Sequence, residues 1–233
     1  MFDLSPAEIE AVLLSLKVSL WAVGVSLPLG IATAWVLARL EFPGKTLLDA
    51  LIHVPLVVPP VVVGYLLLLL LGRNGYLGGW MYETFGITVA FSWQGAAVAA
   101  AVMAFPLMVR AMRLSLEAVD PKLEDAARSL GAPPWAVFAT LTLPLSLPGV
   151  LTGAILGFAK AMGEFGATIT FVSNIPNQTR TIPSAIYTFL QQPDGEQGAL
   201  ILVAVSIFIA ILALVLSEIL ARALSKRIGG RDA

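Results

Sequence analysis

Five long apolar blocks constrain this chain more than any other feature of its sequence. The blocks are Val18–Ala38, Leu47–Leu71, Ile87–Val109, Leu145–Phe165 and Ala199–Leu216. An α-helix needs about 20 mostly apolar residues to cross a bilayer. Charged residues make up only 12% of the chain and hydrophobic residues 58%, whereas a water-soluble domain has about 25% charged residues. The sequence therefore predicts an all-α integral membrane protein with about five spans, forming a single transmembrane domain over residues 1–233.

The distribution of Lys and Arg predicts which loops face the cytoplasm. Ten of these residues follow the first, third and fifth blocks, whereas only Arg73 and Arg180 lie before the first block or after the second and fourth. Lys17 and Lys160, in or beside the blocks, are left aside. Because cytoplasmic loops are enriched in Lys and Arg, we expect the N-terminus outside and the C-terminus in the cytoplasm. The protein would then be a multi-pass component of the bacterial cytoplasmic membrane.

Composition also excludes several classes of function. The chain has no cysteine and a single histidine, His53, so we expect no disulfide and no metal site. We interpret His53 as structural rather than as a proton relay. The net charge of -1 offers no basic surface for nucleic acid. The N-terminal residues MFDLSPAEIE lack the basic region of a secretory signal peptide, so the first block should stay in the mature protein.

Two of the blocks contain breaks or charges. Pro55, Pro59 and Pro60 interrupt the second block, and a bilayer tolerates such breaks where neighbouring helices or a water-filled path satisfy the freed backbone groups. The fourth carries Lys160 and Glu164, four residues apart on one helix face, which we favour as a structural ion pair over a direct transport role. It also carries glycines at a spacing of four, Gly149, Gly153 and Gly157, which predict a packing seam.

The longest predicted cytoplasmic connection, residues 110–145, contains a short helix with clear boundaries. Asp120 and Pro121 form a typical helix start, and Gly131 a typical helix end, followed by Pro133 and Pro134. The helix should cover residues 121–130. Its apolar stripe is Leu123, Ala126, Ala127 and Leu130. A helix of this length is marginal in water, so the stripe must pack either on its own bundle or in a soluble partner.

The same segment resembles a known family. Asp125-Ala126-Ala127, three residues, Gly131, nine residues and then Leu141-Thr142-Leu143-Pro144 is similar to the EAA loop of ABC-importer permeases. In that loop Glu-Ala-Ala is followed by three residues, Gly, nine residues, Ile, any residue and Leu-Pro. Asp125 replaces the usual Glu, with Glu124 before it, and Leu141 replaces Ile. Both replacements keep the chemistry of the motif.

The resemblance implies a type I ABC-importer permease bundle whose short helix is the coupling helix of an ATP-binding subunit. The implied coupling residues are Glu124, Asp125, Ala126, Ala127, Leu130, Gly131, Leu143 and Pro144. The chain has no G-x-x-x-x-G-K-[ST] phosphate loop, so we expect no enzymatic activity and no cofactor here, with ATP and Mg bound by the partner ATPase. Since the chain has one coupling loop and an ATPase dimer has two clefts, we expect a permease homodimer with two ATPase subunits.

The segment after the fourth block is too apolar for a solvated loop. We expect broken helical backbone there, which either lines a cavity or forms a packed external cap. A translocation path would use polar groups of Glu164, Thr168, Thr170, Ser173 and Asn174. Weak interactions between these groups and a transported ion suit a conduit, because a tight binding site would trap the ion.

The strings GEFGATITFVSNIP and TRTIPSAIYT in this segment closely resemble molybdate-importer permeases. The resemblance implies passage of molybdate, or tungstate, from an extracytoplasmic binding protein by alternating access. A sulfate or thiosulfate importer permease, whose family shares the GE-aromatic-G core, is the alternative. A secondary transporter without an ATPase would be expected to show inverted repeats and ionisable residues near the midplane, and a simple membrane anchor would not need the proline breaks.

Overall fold

The computed structural model describes residues 4–228, with the side chains of that range except 217, 218 and 221–228. Every regular element in this part of the chain is helical. The α-helices are α1 (Pro6–Arg39), α2 (Lys45–Val57), α3 (Pro60–Leu71), α4 (Tyr76–Phe85), α5 (Trp93–Glu117), α6 (Pro121–Ser129), α7 (Pro134–Val137), α8 (Leu143–Met162), α9 (Gly166–Val172), α10 (Ile182–Phe189) and α11 (Glu196–Ile228), with a π-helical turn at Phe138–Thr142 between α7 and α8. The C-terminal basic residues that contribute to the predicted orientation lie outside the described side chains.

The first span is a single helix of 34 residues that begins well before the apolar block. The Ser5 hydroxyl accepts from the Glu8 N–H at 3.4 Å, and the Glu8 carboxylate accepts from the Ser5 N–H at 2.6 Å. This reciprocal capping box satisfies two N–H groups that have no partner within the helix. The Lys17 ammonium lies 3.7 Å from the centre of the Trp93 ring, so its charge is stabilised by an aromatic face.

Four described helical stretches are long and apolar enough to cross a membrane, and the bent pair α2–α3 meets the same criterion when its two helices are taken together. The two helices of this pair differ in direction by 112°. The bend falls at Pro59 and Pro60, where proline removes N–H donors from the helical ladder. The prediction of an all-α bundle with about five spans is confirmed, with four continuous candidate spans and a second apolar block that is sharply bent.

The start of the third span was predicted wrongly. Residues 87–92 are not helical, and α5 begins at Trp93 with Ser92 as its N-cap. The Ser92 hydroxyl accepts from the Gly95 N–H at 3.2 Å, and Phe91 takes a left-handed conformation with φ 58°. The apolar character of residues 87–91 hid this boundary, although Ser92 is itself a typical N-cap signal. Helix α4, which precedes this segment, was also missed.

The fourth span is longer at one end and shorter at the other than predicted. Helical backbone runs from Pro134 to Met162, so the span starts before the predicted Leu145 and ends before Phe165. The π-helical turn lies inside it, just ahead of Pro144. Proline has no N–H to donate to the carbonyl four residues back. The π-helical turn therefore lies where the regular pattern of helical hydrogen bonds is interrupted.

The bundle core lies between α1, α5 and α8. One cluster of buried residues joins them, with Leu37, Met108, Met112, Leu116 and Val150 at its centre. The predicted glycine seam of α8 is confirmed as a packing device. A Cβ placed on Gly157 would lie 2.6 Å from the Met108 side chain, and one on Gly153 would lie 3.0 Å from the Met108 carbonyl oxygen. Only glycine lets α5 approach α8 this closely.

Candidate functional site

The predicted cytoplasmic helix is present as α6, which starts at the predicted Pro121 and ends at Ser129, one residue before the predicted end. Asp120 is its N-cap, and its carboxylate accepts from the Lys122 N–H at 2.9 Å. At the other end Gly131 takes the left-handed conformation, with φ +88°. The Gly131 N–H donates to the Arg128 carbonyl at 2.9 Å. Both ends of this short helix are therefore closed by local interactions, as the Asp-Pro and Gly signals predict.

The apolar stripe of α6 faces away from the bundle. Leu123 is 48% exposed and Leu130 is 90% exposed, while Ala126 is exposed and Ala127 half-buried. The stripe thus does not pack on its own bundle, which was one of the two alternatives. Neighbouring exposed apolar side chains on a capped helix are suited to an interaction site, and burying Leu130 alone would contribute about 1.5–3 kcal/mol.

Glu124, predicted among the residues that contact the ATPase, lies on the opposite face of α6. It is only 4% exposed. Its carboxylate accepts from the Arg39 guanidinium at 2.9 Å and from the Thr142 hydroxyl at 2.9 Å. The side chain points into its own chain because Arg39 and Thr142 offer donors there. Neither contact was predicted from the sequence, because Arg39 lies 85 positions and Thr142 18 positions from Glu124, too far for a local pattern.

The other motif residues divide between the surface and the bundle. Asp125 is exposed, with Arg128 as a neighbour at 3.6 Å. Leu143 is half-buried and packs against the α1–α5–α8 core, whereas Pro144 is exposed at the start of α8. The N-terminal part of the motif therefore presents a surface, and its C-terminal part joins that surface to a membrane span.

The segment after α8 consists of broken helices, as predicted. Glu164 lies in the break between α8 and α9 and is 2% exposed. One carboxylate oxygen accepts from the Lys160 ammonium at 2.8 Å, and the other accepts from the Ala167 N–H at 2.9 Å. The predicted ion pair is thus present, and the same carboxylate satisfies an N–H group at the start of α9.

The remaining polar residues of this segment bond mainly within the chain. Thr168 donates to the Phe165 carbonyl at 2.9 Å, and Thr170 donates to the Gly166 carbonyl at 2.9 Å. The Asn174 amide donates to the Thr188 hydroxyl at 2.6 Å. Ser173 is exposed and takes a left-handed φ of 64°. In this arrangement the hydroxyl protons of Thr168 and Thr170 are already donated to backbone carbonyls. The Glu164 carboxylate is occupied by its bonds to Lys160 and the Ala167 N–H.

The bent second span packs directly on these broken helices. A Cβ placed on Gly64 of α3 would lie 2.5 Å from the Ala167 carbonyl oxygen, and one on Gly166 would lie 2.8 Å from Pro60. Two glycines and the proline break therefore bring α3 and α9 into backbone contact. Gly64 carries no sequence signal beyond being an isolated glycine in an apolar run, and its role was not predicted.

Comparison with known proteins places this architecture in a family. Residues 26–230 match the family described as binding-protein-dependent transport system inner membrane component. The fold is also that of solved importers. The structure of a bacterial ABC transporter for the import of alginate matches with a TM-score of 0.72 at 18% identity, covering 95% of this chain and 81% of that one.

Curated relatives are much more similar in sequence. The molybdenum transport system permease protein ModB of Escherichia coli (strain K12) is 62% identical over 226 residues, which is 97% of this chain and 99% of the relative. The sulfate transport system permease protein CysT of the same organism is 40% identical over 71% of this chain and 59% of the relative. The family expected from the loop motif is therefore confirmed: the chain belongs to the binding-protein-dependent transport system inner membrane components.

Proposed function

We propose that this chain is the permease subunit of an ATP-driven importer that moves molybdate, or its analogue tungstate, into the cytoplasm. The observation that carries the proposal is the capped helix α6, which presents Leu123 and Leu130 on an exposed face within an EAA-type loop. A rigid element with an unpartnered apolar face is suited to dock in a cleft of a soluble subunit. Movement of that subunit is then transmitted to the membrane spans through the two ends of the loop that contains α6.

The ATPase is a separate protein in this proposal. No phosphate-loop motif occurs in the sequence, so ATP and Mg are bound by the partner, and this chain needs no cofactor. Two copies of the chain pair around a central path, and each coupling helix engages one of two ATPase subunits. The arrangement has its N-terminus outside and its C-terminus and α6 in the cytoplasm, as the Lys and Arg distribution favours.

Transport follows an alternating-access cycle. ATP binding closes the ATPase dimer and moves the two α6 helices together, which turns the path outward. An extracytoplasmic binding protein then releases its oxyanion into the path, and hydrolysis resets the inward-open state. No covalent step occurs on this chain. Its conformational change lowers the barrier to passage of the oxyanion across the membrane.

Molybdate is favoured over sulfate by similarity. Relatives named as molybdenum permeases match nearly the whole chain at 62% and 55% identity, whereas relatives named as sulfate permeases match 71–91% of it at 34–40% identity. Side-chain chemistry supports a conduit rather than a tight oxyanion site, because the hydroxyls of Thr168 and Thr170 are engaged with backbone carbonyls. Selection would then rest with the binding protein.

The substrate is tested by competition in the complete complex of permease, ATPase and binding protein, reconstituted in vesicles. Uptake of labelled molybdate is measured with a large excess of unlabelled molybdate, tungstate or sulfate. We expect unlabelled molybdate and tungstate to suppress uptake and sulfate to leave it nearly unchanged. Equal suppression by sulfate would contradict the substrate assignment while leaving the importer function intact.

A further inference from the structure

The contacts of Glu124 have a consequence beyond burial of one carboxylate. Its Oε1 atom accepts from Arg39 Nε at 3.0 Å and from the Thr142 hydroxyl at 2.9 Å. Arg39 also donates through Nη2 to the Val119 carbonyl at 3.0 Å. A single cluster therefore joins the last residue of α1, the chain entering α6 and the π-helical turn before α8.

This cluster is better shielded from solvent than the other ion pair that links distant parts of the described chain. The Arg39 and Glu124 side chains are 13% and 5% exposed, whereas those of Arg113 and Asp49 are 27% and 34% exposed. A buried pair adds little net stability, because desolvation offsets the attraction between the charges. Its hydrogen bonds nevertheless fix distances and directions, so the pair determines where α6 sits relative to α1.

Helix α1 extends this link to the far side of the protein. It is one continuous helix from Pro6 to Arg39, with Pro28 inside it, and is about 50 Å long at a rise of about 1.5 Å per residue. Towards its other end, the buried Ser15 hydroxyl accepts from the Ile182 N–H at 2.7 Å. That bond holds the first residue of α10, in the segment of broken helices. Helix α1 thus contacts the coupling loop at one end and the outer segment at the other.

We propose that Arg39, Glu124 and Thr142 form a joint through which displacement of α6 is passed on to α1 and α8. The inference rests on the proposed importer function and assigns these three residues as positioning residues. The apolar face of α6 engages the ATPase, while its buried face, through Glu124, transmits the movement to the spans. Glu124 therefore acts on its own chain and makes no contact with the ATPase.

The test uses the complete permease, ATPase and binding-protein complex in vesicles, with ATP hydrolysis and molybdate uptake measured on the same sample. Glu124→Gln removes the charge at nearly constant shape. The double variant Arg39→Met with Glu124→Leu removes both charges, so that neither is left buried alone. Lys122→Gln is the matched control, because Lys122 is an exposed charge on the same helix. Co-purification of the ATPase is recorded for every variant.

We expect Glu124→Gln and the double variant to co-purify with the ATPase and to hydrolyse ATP, while most of the molybdate transport per ATP is lost, because displacement of α6 no longer reaches α1 and α8. Lys122→Gln should match the unmodified complex. Normal transport per ATP in both variants, or an equal loss of transport per ATP in the Lys122→Gln control, would contradict the joint. It would also be contradicted if Glu124→Gln lost ATPase binding while the double variant kept it, or if both variants failed to assemble. Absence of uptake by the unmodified complex would instead overturn the proposed function.

Discussion

Gly64 of α3 lies against Ala167 of α9 with no space between them for a side chain. A Cβ on Gly64 would lie 2.5 Å from the Ala167 carbonyl oxygen and 2.9 Å from its α-carbon. Because the obstacle is backbone, it cannot move aside by a change of rotamer. The contact therefore fixes the bent second span against the broken helices that follow α8.

Gly64→Ala should consequently destabilise the protein by about 1–3 kcal/mol, the usual effect of overpacking a close contact. Gly24→Ala is the matched control, since Gly24 is also helical and a Cβ there would have no neighbour within 4 Å. Alanine is the better helix former, so the control should be neutral or slightly stabilised. Thermal unfolding of the purified variants in detergent measures both effects. Equal unfolding midpoints for the two variants would show that the α3–α9 contact is not tight.

Lys160→Met should destabilise the protein by about 3–5 kcal/mol, because it leaves a buried carboxylate without its cation. The Glu164 side chain is 1% exposed and that of Lys160 is 30% exposed. Adding Glu164→Gln to Lys160→Met removes the unpaired charge and should recover part of the loss. Chemical or thermal unfolding of the three proteins tests this order. A double variant less stable than Lys160→Met would mean that Glu164 is held mainly by the Ala167 N–H.

Gly131→Val should lower uptake per ATP while leaving ATP hydrolysis in place. Gly131 has φ +88°, and a Cβ placed on it would meet no atom within 4 Å, so backbone conformation alone opposes the substitution. A β-branched residue is strained there by roughly 1–2 kcal/mol, which distorts the end of α6. Gly131→Asn is the control, since asparagine tolerates the left-handed region. Comparable uptake by the valine and asparagine variants would exclude a role for this helix end.

Single introduced cysteines test the orientation, because the chain has none of its own. Gln178 lies after α9 and Lys122 lies in α6, and both are exposed. In intact spheroplasts, a membrane-impermeant maleimide should label Gln178→Cys at once and Lys122→Cys only after the membrane is opened. Labelling of both from the same side would contradict the predicted topology.

Local signals in the sequence predicted the local elements well. The Ser5 capping box and the Asp120-Pro121 start of α6 depend on residues within three or four positions, so sequence patterns contain the necessary information. The same holds for Gly131, which is required by a left-handed backbone. The family resemblance added the coupling role of the loop, which these patterns alone do not indicate.

Long-range relationships were the part that sequence patterns could not predict. Glu124 was grouped with the residues implied to couple to the ATPase, yet it turns inward because Arg39 and Thr142 meet it there. The contact of Gly64 with α9 likewise depends on the 112° bend between α2 and α3. An uninterrupted apolar stretch also hid the start of α5, where residues 87–92 look membrane-embedded by hydropathy alone.

In the proposed function, ATP hydrolysis on a separate subunit drives oxyanion uptake through this chain by way of α6. The most direct measurement is uptake of labelled molybdate into vesicles containing the permease and its ATPase, with binding protein outside and ATP inside. Leu130→Asp, which places a charge on the exposed face of α6, is measured in parallel. We expect ATP-dependent uptake by the unmodified complex, and we expect the variant to lose uptake and to co-purify more weakly with the ATPase. Uptake that proceeds without ATP, or that is unchanged by Leu130→Asp, would contradict ATP-driven transport through α6.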